Sequence, residues 1–408
     1  MTTTRRDARV RSLMARGLIL FGLLAVATPA SALNTIAVDV ATGKVLSQHN
    51  ATQRWYPAST TKLMTAYVTL KALQAGEVAP DTPVVMTRAA TAQAPSKMGY
   101  KPGSVMRLDM ALRMMLVKSA NDVAYAIAQT LGDGSLETFV GRMNADAAAL
   151  QMLDTHFVNP NGLPQDGQYS SAKDLAILGT AIRREFPTYA DYFSTEAIVV
   201  GQGIMKNGNG LLGRYRGADG MKTGYICASG FNLVASATRD GRTIVAVVLG
   251  AEGPIVRERA AAEVIENGFN TNPRSIRDVV TDLPPSAGPP ADVSAEICSP
   301  AGRTARANER ETEDKREETF GSPYMSELDR PPAAVPVSLG GAAGRGDIEP
   351  NVSLIAAYGI PLPTARPARP GEPGGPPAEA PASAAASNES APAGAELGSE
   401  LRPTQATP

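Results

Sequence analysis

The sequence predicts an α/β fold of the α+β type, an antiparallel sheet flanked by helices with a helical lobe inserted. Two observations carry that expectation. "NTIAVDVATGKVLSQHN" alternates apolar and polar residues around Ala41-Thr42-Gly43-Lys44, and some two hundred residues later "FNLVASATRDGRTIVAVVLGAE" alternates around Asp240-Gly241. Each reads as two strands and a turn, and Asp-Gly is among the strongest hairpin signals. The chain between them carries helical periodicity instead, so one sheet must be assembled from distant segments around a mostly helical insertion.

The elements follow in order. Arg5, Arg6, Arg9, Arg11 and Arg16 precede the apolar run "GLILFGLLAVA", which ends near Ala30-Ser31-Ala32. A basic start, a short apolar run and small residues before a cleavage point mark residues 1–32 as a signal peptide. The run is too short to span a bilayer comfortably. Arg5-Arg6 is a twin arginine, but Asp7-Ala8 lacks the apolar residues that usually follow, which favours the general secretory route. Export to the periplasm of a Gram-negative-type cell is expected. Peripheral association with the inner membrane is compatible with this, although no basic amphipathic helix at the C-terminus specifies it.

After the first hairpin, Leu63, Met64, Tyr67 and Leu70 fall on one face of a helix that starts behind Ser59. "LDMALRMMLV", "DVAYAIAQTL" and "MNADAAALQM" continue the helical stretch to about Arg184, with Met114, Met115 and Tyr125 expected in the core. The amphipathic "PIVRERAAAEVIENGFN" closes a catalytic domain over 33–275. Beyond it, "DLPPSAGPPADVS" and the charge run "RTARANERETEDKREETF" read as a linker region over 276–350. Residues 351–408, mostly Pro, Ala, Gly, Ser and Glu from Pro361 onward, have little to bury and are expected to form a disordered tail.

A formal net charge of −1 offers no basic face for nucleic acid. With two histidines, His49 and His156, and two cysteines, Cys227 and Cys298, zinc clusters are nearly excluded and a Ser-His-Asp triad has little to draw on. No metal or cofactor is expected, and the standing of a lysine base rises.

Ser59-Thr60-Thr61-Lys62, behind Pro57, sets a hydroxyl and an amine one helical turn apart, which is a nucleophile with its base. The same residues could serve as an ordinary polar helix start. Ser170-Ser171-Ala172-Lys173 is a second match to the pattern. Order separates the two: Ser119-Ala120-Asn121 and then Lys222-Thr223-Gly224 follow Ser59, whereas no second Ser-x-Asn follows Ser170.

With their surroundings, "PASTTKLMTA", "PSKMGYKPGS", "MLVKSANDVA", "THFVNPNGL" and "GMKTGY" resemble the serine D-Ala-D-Ala carboxypeptidases, the low-molecular-mass penicillin-binding proteins, over roughly residues 33–272. The resemblance implies a β-lactamase/transpeptidase-like fold. It also implies removal of the terminal D-alanine from peptidoglycan stem peptides through a Ser59 acyl-enzyme, with β-lactam antibiotics as covalent inhibitors. Lys62 would be the base, made neutral part of the time by burial or by a cationic neighbour such as Lys222. Ser119 would pass a proton to the leaving amine, Asn121 would bond the substrate's peptide group, and Lys222, with Thr223 and Gly224, would meet the carboxylate and leave room for an extended peptide. The oxyanion hole would use the backbone N–H groups of Ser59 and Tyr225.

Plainer roles remain open for several residues. Asn121 could cap a helix, His156, Asn159 and Gly162 suit a hydrogen-bonded turn, and Asp219 before Gly220 suits another. Competing functions are a D,D-endopeptidase, a β-lactamase and a non-catalytic wall-binding protein. Glu137, Glu185 and Glu196, the glutamates between Ser119 and Lys222, lack the Glu-x-x-x-Asn setting of class A β-lactamases. A wall-binding protein would be expected to have lost Ser59 or Lys62. In an oxidising compartment Cys227 and Cys298 can pair, or they can stand as independent thiols.

Overall fold

The computed structural model describes residues 33–314 and 322–342. The expected signal peptide and disordered tail lie outside the described residues. Five strands form one sheet in the order Val45–His49, Asn34–Asp39, Arg242–Ala251, Gly230–Arg239, Ala218–Ile226. All neighbours are antiparallel, so the first hairpin pairs with the last one. Asp240 and Gly241 both take left-handed φ values, 49° and 77°, as a two-residue hairpin turn needs.

Strand Arg242–Ala251 is nearly continuous in apolar residues because both faces are covered. Val245, Val247 and Leu249 face a large core shared with the helices Lys62–Gln74 and Ala172–Glu185. Ala246 and Val248 alternate to the other face and pack on Ala261, Ala262 and Ile265 of helix Pro254–Asn270. The inserted lobe is built from helices Leu108–Val117, Asn121–Leu131 and Leu136–Ala149, with Met114 and Met115 fully buried and Tyr125 packed at the core's margin.

The region expected to be a linker is packed as far as it is described. Asp278 and Val280 join the first hairpin through Val45 N–H to Asp278 O (3.0 Å) and Val280 N–H to Gly43 O (2.9 Å). Ala291 N–H donates to Arg54 O (3.2 Å) and Val293 N–H to Ala228 O (3.1 Å). Pro289 and Pro290 carry no N–H, but Ala291 and Val293 do, and those satisfy the Arg54 and Ala228 carbonyls. Cys298 is disulfide-bonded to Cys227 with a Cα–Cα distance of 5.6 Å. Further on, Met325 is buried beside Tyr215, and Ala334–Pro336 pairs in parallel with Ala197–Val200. A proline-rich composition suggests an unpacked spacer only when no strand edges or apolar surface stand nearby to receive it.

Candidate active site

Ala58–Thr61 forms a 3₁₀ turn that runs directly into helix Lys62–Gln74. Ala58 holds a left-handed φ of 48°, a conformation that a non-glycine residue adopts at a cost. Its carbonyl is pressed against Gly162, where an added Cβ would lie 1.8 Å from Ala58 O. The turn Asn159–Leu163, closed by Gly162 N–H to Asn159 Oδ1 (2.8 Å), therefore does more than reverse the chain. It wedges the approach to Ser59.

Ser59 is half-buried, and Lys62 is fully buried. The Lys62 ammonium nitrogen reaches Ser59 Oγ at 2.9 Å, Asn121 Oδ1 at 2.6 Å and the Asn161 carbonyl at 2.6 Å. All three partners are neutral. Burial first, and then the nearby Lys222, holds the Lys62 amine well below its ordinary range, against the opposing pull of Asp122. The expectation that Lys222 is the cationic neighbour therefore has a physical basis. Asp122 is itself tied to the loop before it, accepting from Met98 N–H (3.0 Å) and Gly99 N–H (2.9 Å).

Asn121 is the first residue of its helix, and its side chain spans the site rather than capping that helix. Its amide nitrogen donates to Ala94 O (2.9 Å) while its oxygen takes the Lys62 bond. Ser119, at φ 60° in the preceding loop, is half-buried, and among the described residues no hydrogen bond joins it to Lys62.

Lys222, Thr223, Gly224 and Tyr225 lie on the edge strand Ala218–Ile226, whose outer side has no strand partner among the described residues. Gly224 is required by approach: a Cβ there would lie 2.9 Å from Pro57 O and 3.0 Å from Ser59 N. That contact sets the edge strand against the nucleophile's backbone. Asn232, paired with Gly224 on the neighbouring strand, reinforces it through Nδ2 bonds to Tyr56 O (3.0 Å) and Pro57 O (3.3 Å). Tyr225 stacks on Phe231, with ring centroids 4.3 Å apart, and leaves its backbone on the strand edge.

Lys222 is buried and donates to Thr223 O (2.9 Å). Burial, with the Arg257 guanidinium as a second cause, pushes its amine down to about 7. Arg257 is also buried, and its Nη2 reaches Gly208 O (2.9 Å) and Glu258 Oε1 (2.7 Å), while its Nε has no hydrogen-bond partner among the described residues. An anion reaching Lys222 would favour the charged form of its amine, and the Arg257 guanidinium, held on one side by Glu258, adds positive charge to the same corner.

The rival pattern is not brought to this site. Ser170 pairs with Trp55 in a two-stranded ladder, and Lys173 is buried against Asp154 and Asp174. Two of the glutamates weighed for deacylation are otherwise engaged: Glu185 accepts from Tyr67 Oη (2.8 Å), and Glu196 binds Arg330 (2.7 Å). Asp219, expected in a turn, lies instead on strand Ala218–Ile226, where it accepts from Arg183 (2.6 Å), Ser236 (2.6 Å) and Thr238 (2.6 Å).

Asn161, Asn232 and Arg257 were missed by sequence reasoning. For Arg257 a signal existed: it interrupts the face of an amphipathic helix that should be apolar. For Asn161 none did, because its contribution is a main-chain carbonyl.

A five-stranded antiparallel sheet with a helical lobe, a Ser-x-x-Lys helix start and a Lys-Thr-Gly edge strand converging on one point define the serine–lysine acyl-transfer class of folds. The chain belongs to the D-alanyl-D-alanine carboxypeptidase family, whose model matches residues 25–253. It is 36% identical over 240 residues to D-alanyl-D-alanine carboxypeptidase DacD of Escherichia coli K12, covering 57% of this chain and 62% of that protein. The chain thus matches less than two thirds of that relative's length. A D-alanyl-D-alanine carboxypeptidase from Streptomyces sp. K15 is 31% identical, over 60% of this chain and 91% of its own. Among solved structures, penicillin binding protein 6B from Escherichia coli superposes with a TM-score of 0.55 at 35% identity, over 58% of this chain and 76% of that one. Penicillin-Binding Protein D2 from Listeria monocytogenes, in its ampicillin-bound form, gives 0.53 at 29% identity, over 58% and 96%.

Proposed function

We propose that this protein is an exported, serine-type D-Ala-D-Ala carboxypeptidase that trims the terminal D-alanine from peptidoglycan stem peptides. The observation that carries the reading is the hydrogen bond from Lys62 to Ser59 Oγ, made by a buried amine whose other partners are neutral. Such an amine can exist unprotonated and accept the serine proton. The Lys222–Arg257 corner takes the substrate's C-terminal carboxylate, so the peptide lies antiparallel along the open strand edge with its scissile carbonyl over Gly224 and Ser59.

Ser59 Oγ attacks the carbonyl carbon of the penultimate residue while Lys62 takes its proton. The developing oxyanion lies between the N–H groups of Ser59 and Tyr225, the residues flanking the Gly224 contact. Asn121 bonds the peptide group, and Ser119 relays the proton to the departing amine of D-alanine. Water then cleaves the ester and restores Ser59. A β-lactam ring is attacked in the same way and leaves an ester that this site hydrolyses poorly. Export is supported by the basic and apolar N-terminal sequence together with the Cys227–Cys298 bridge, since disulfides persist in oxidising compartments. The periplasm and its peptidoglycan are then the setting.

Fluorescent penicillin tests the reading. The wild type should carry one covalent, long-lived label on the peptide containing Ser59, and Ser59→Ala should carry none. Rapid hydrolysis without a trapped adduct would identify a β-lactamase instead.

A further inference from the structure

Beside the active site lies a cleft of about 720 Å³ that the reaction as described does not use. Arg54, Tyr56, Gln168, Tyr169 and Ile226 line it on one side, and Ala287 to Pro290 with Asp292 form the other. That second wall lies beyond residue 253, where the family match ends. It is held in place at several points. Arg54 Nη1 donates to Gly288 O (3.3 Å), and the Arg54 guanidinium lies 4.6 Å from the centroid of the Tyr169 ring. Ala291 and Val293 are hydrogen-bonded to Arg54 and Ala228, and the disulfide anchors the wall's far end two residues beyond Tyr225.

Position fixes what can enter. On the proposed function, on which this inference rests, the carboxylate sits at Lys222 and the scissile carbonyl at Gly224. The same line along the strand next meets Ile226, which opens into the cleft. At about 3.3 Å per residue, the cleft mouth lies one or two residues upstream of the acyl residue. We infer that this cleft is a binding subsite for the upstream residues of a peptide substrate, those preceding its C-terminal pair, and that the wall at 287–292 makes the enzyme selective for long stem peptides over short ones. Its mixed lining of aromatic rings, amides and carboxylates suits an extended polar peptide.

Gly288 provides the test, because a Cβ there meets nothing within 4 Å and its φ needs no glycine. Gly288 lines the cleft, so Gly288→Trp adds a bulky ring at its wall from a Cβ that meets no packed atom. The measurement compares kcat/KM for a pentapeptide ending in D-Ala-D-Ala with kcat/KM for an N-acyl-D-Ala-D-Ala. The wild type should prefer the pentapeptide, and the variant should lose about tenfold of that preference, the worth of one or two hydrogen bonds. No wild-type preference, or a preference that survives in the folded variant, overturns the subsite. A wild type that cleaves neither peptide and takes no penicillin label shows instead that the underlying reading fails, and this inference falls with it.

Discussion

Ser59-x-x-Lys62 and Ser170-x-x-Lys173 share one spacing, and both lysines are withdrawn from water, at 0% and 1% exposure. Their surroundings are opposite. Lys62 meets a hydroxyl, an amide and a carbonyl, with Lys222 nearby. Lys173 lies 2.9 Å from Asp154 and 3.4 Å from Asp174, and its charge is spent on those carboxylates. The hydroxyls differ in the same way. Ser59 bonds its lysine, whereas Ser170 bonds Thr155 (2.9 Å), and the next residue, Ser171, caps helix Ala172–Glu185 through Asp174 N–H (3.1 Å). An ion-paired lysine staples the fold, and a buried lysine among neutral acceptors is available for proton transfer. The sign of the neighbouring charges separates the two, not burial or spacing.

The largest effect should come from removing the base. Lys62→Ala should slow penicillin acylation by about 10²–10⁴-fold, the usual worth of one proton-transfer group. Stopped-flow or quenched labelling measures it, and a loss under threefold would remove Lys62 from the chemistry.

Converting one site into the other is a finer test. Asn121→Asp places a carboxylate on the Lys62 amine, as Asp154 does for Lys173. An opposite charge at that range favours the ammonium by roughly 1–3 pH units. Because acylation needs the neutral amine, its rate should rise with pH through the Lys62 value, and the variant's rise should move to higher pH. Below the wild-type Lys62 value the rate should fall about 10–10³-fold, and it should recover on the alkaline side. An unshifted pH profile would mean that the charge around Lys62 does not control its proton.

The smallest effect on acylation is expected for Lys173→Ala, within about threefold, because no reacting atom is touched. Its cost should appear in stability, at about 3–5 kcal/mol for a broken buried pair. Burial already raises the Asp174 carboxyl to about 6, against the lowering pull of Lys173. Without Lys173 that carboxyl rises further, so ionising it between pH 5 and pH 8 costs more in the variant than in the wild type. Urea unfolding should therefore show a larger loss at pH 8 than at pH 5. Equal losses at both values would assign the cost to packing rather than charge.

Much of the fold was legible because its signals are local. The Asp240-Gly241 turn, the alternation in the two hairpins and the helical period of Leu63, Met64, Tyr67 and Leu70 each act within a few residues. The order of Ser59-x-x-Lys62, Ser119-x-Asn121 and Lys222-Thr223-Gly224 was enough to choose the first Ser-x-x-Lys over the second. The packing of 276–314 and 322–342 was not legible. Its prolines and charges describe a chain with little to bury, whereas what receives it, the Arg54 and Ala228 carbonyls and the Tyr215 side chain, lies far away in sequence.

By itself, then, the sequence determined the strands, the inserted helical lobe and the identity of the candidate nucleophile. Only the tertiary structure decided why Lys62 can give up its proton, because the field at a buried amine sums over every element that packs against it. Asn121, Asn161, Lys222 and Arg257 arrive at that corner from two helices, a loop and the sheet's edge strand, brought together by burial of the sheet's two faces. No spacing along the chain records that meeting.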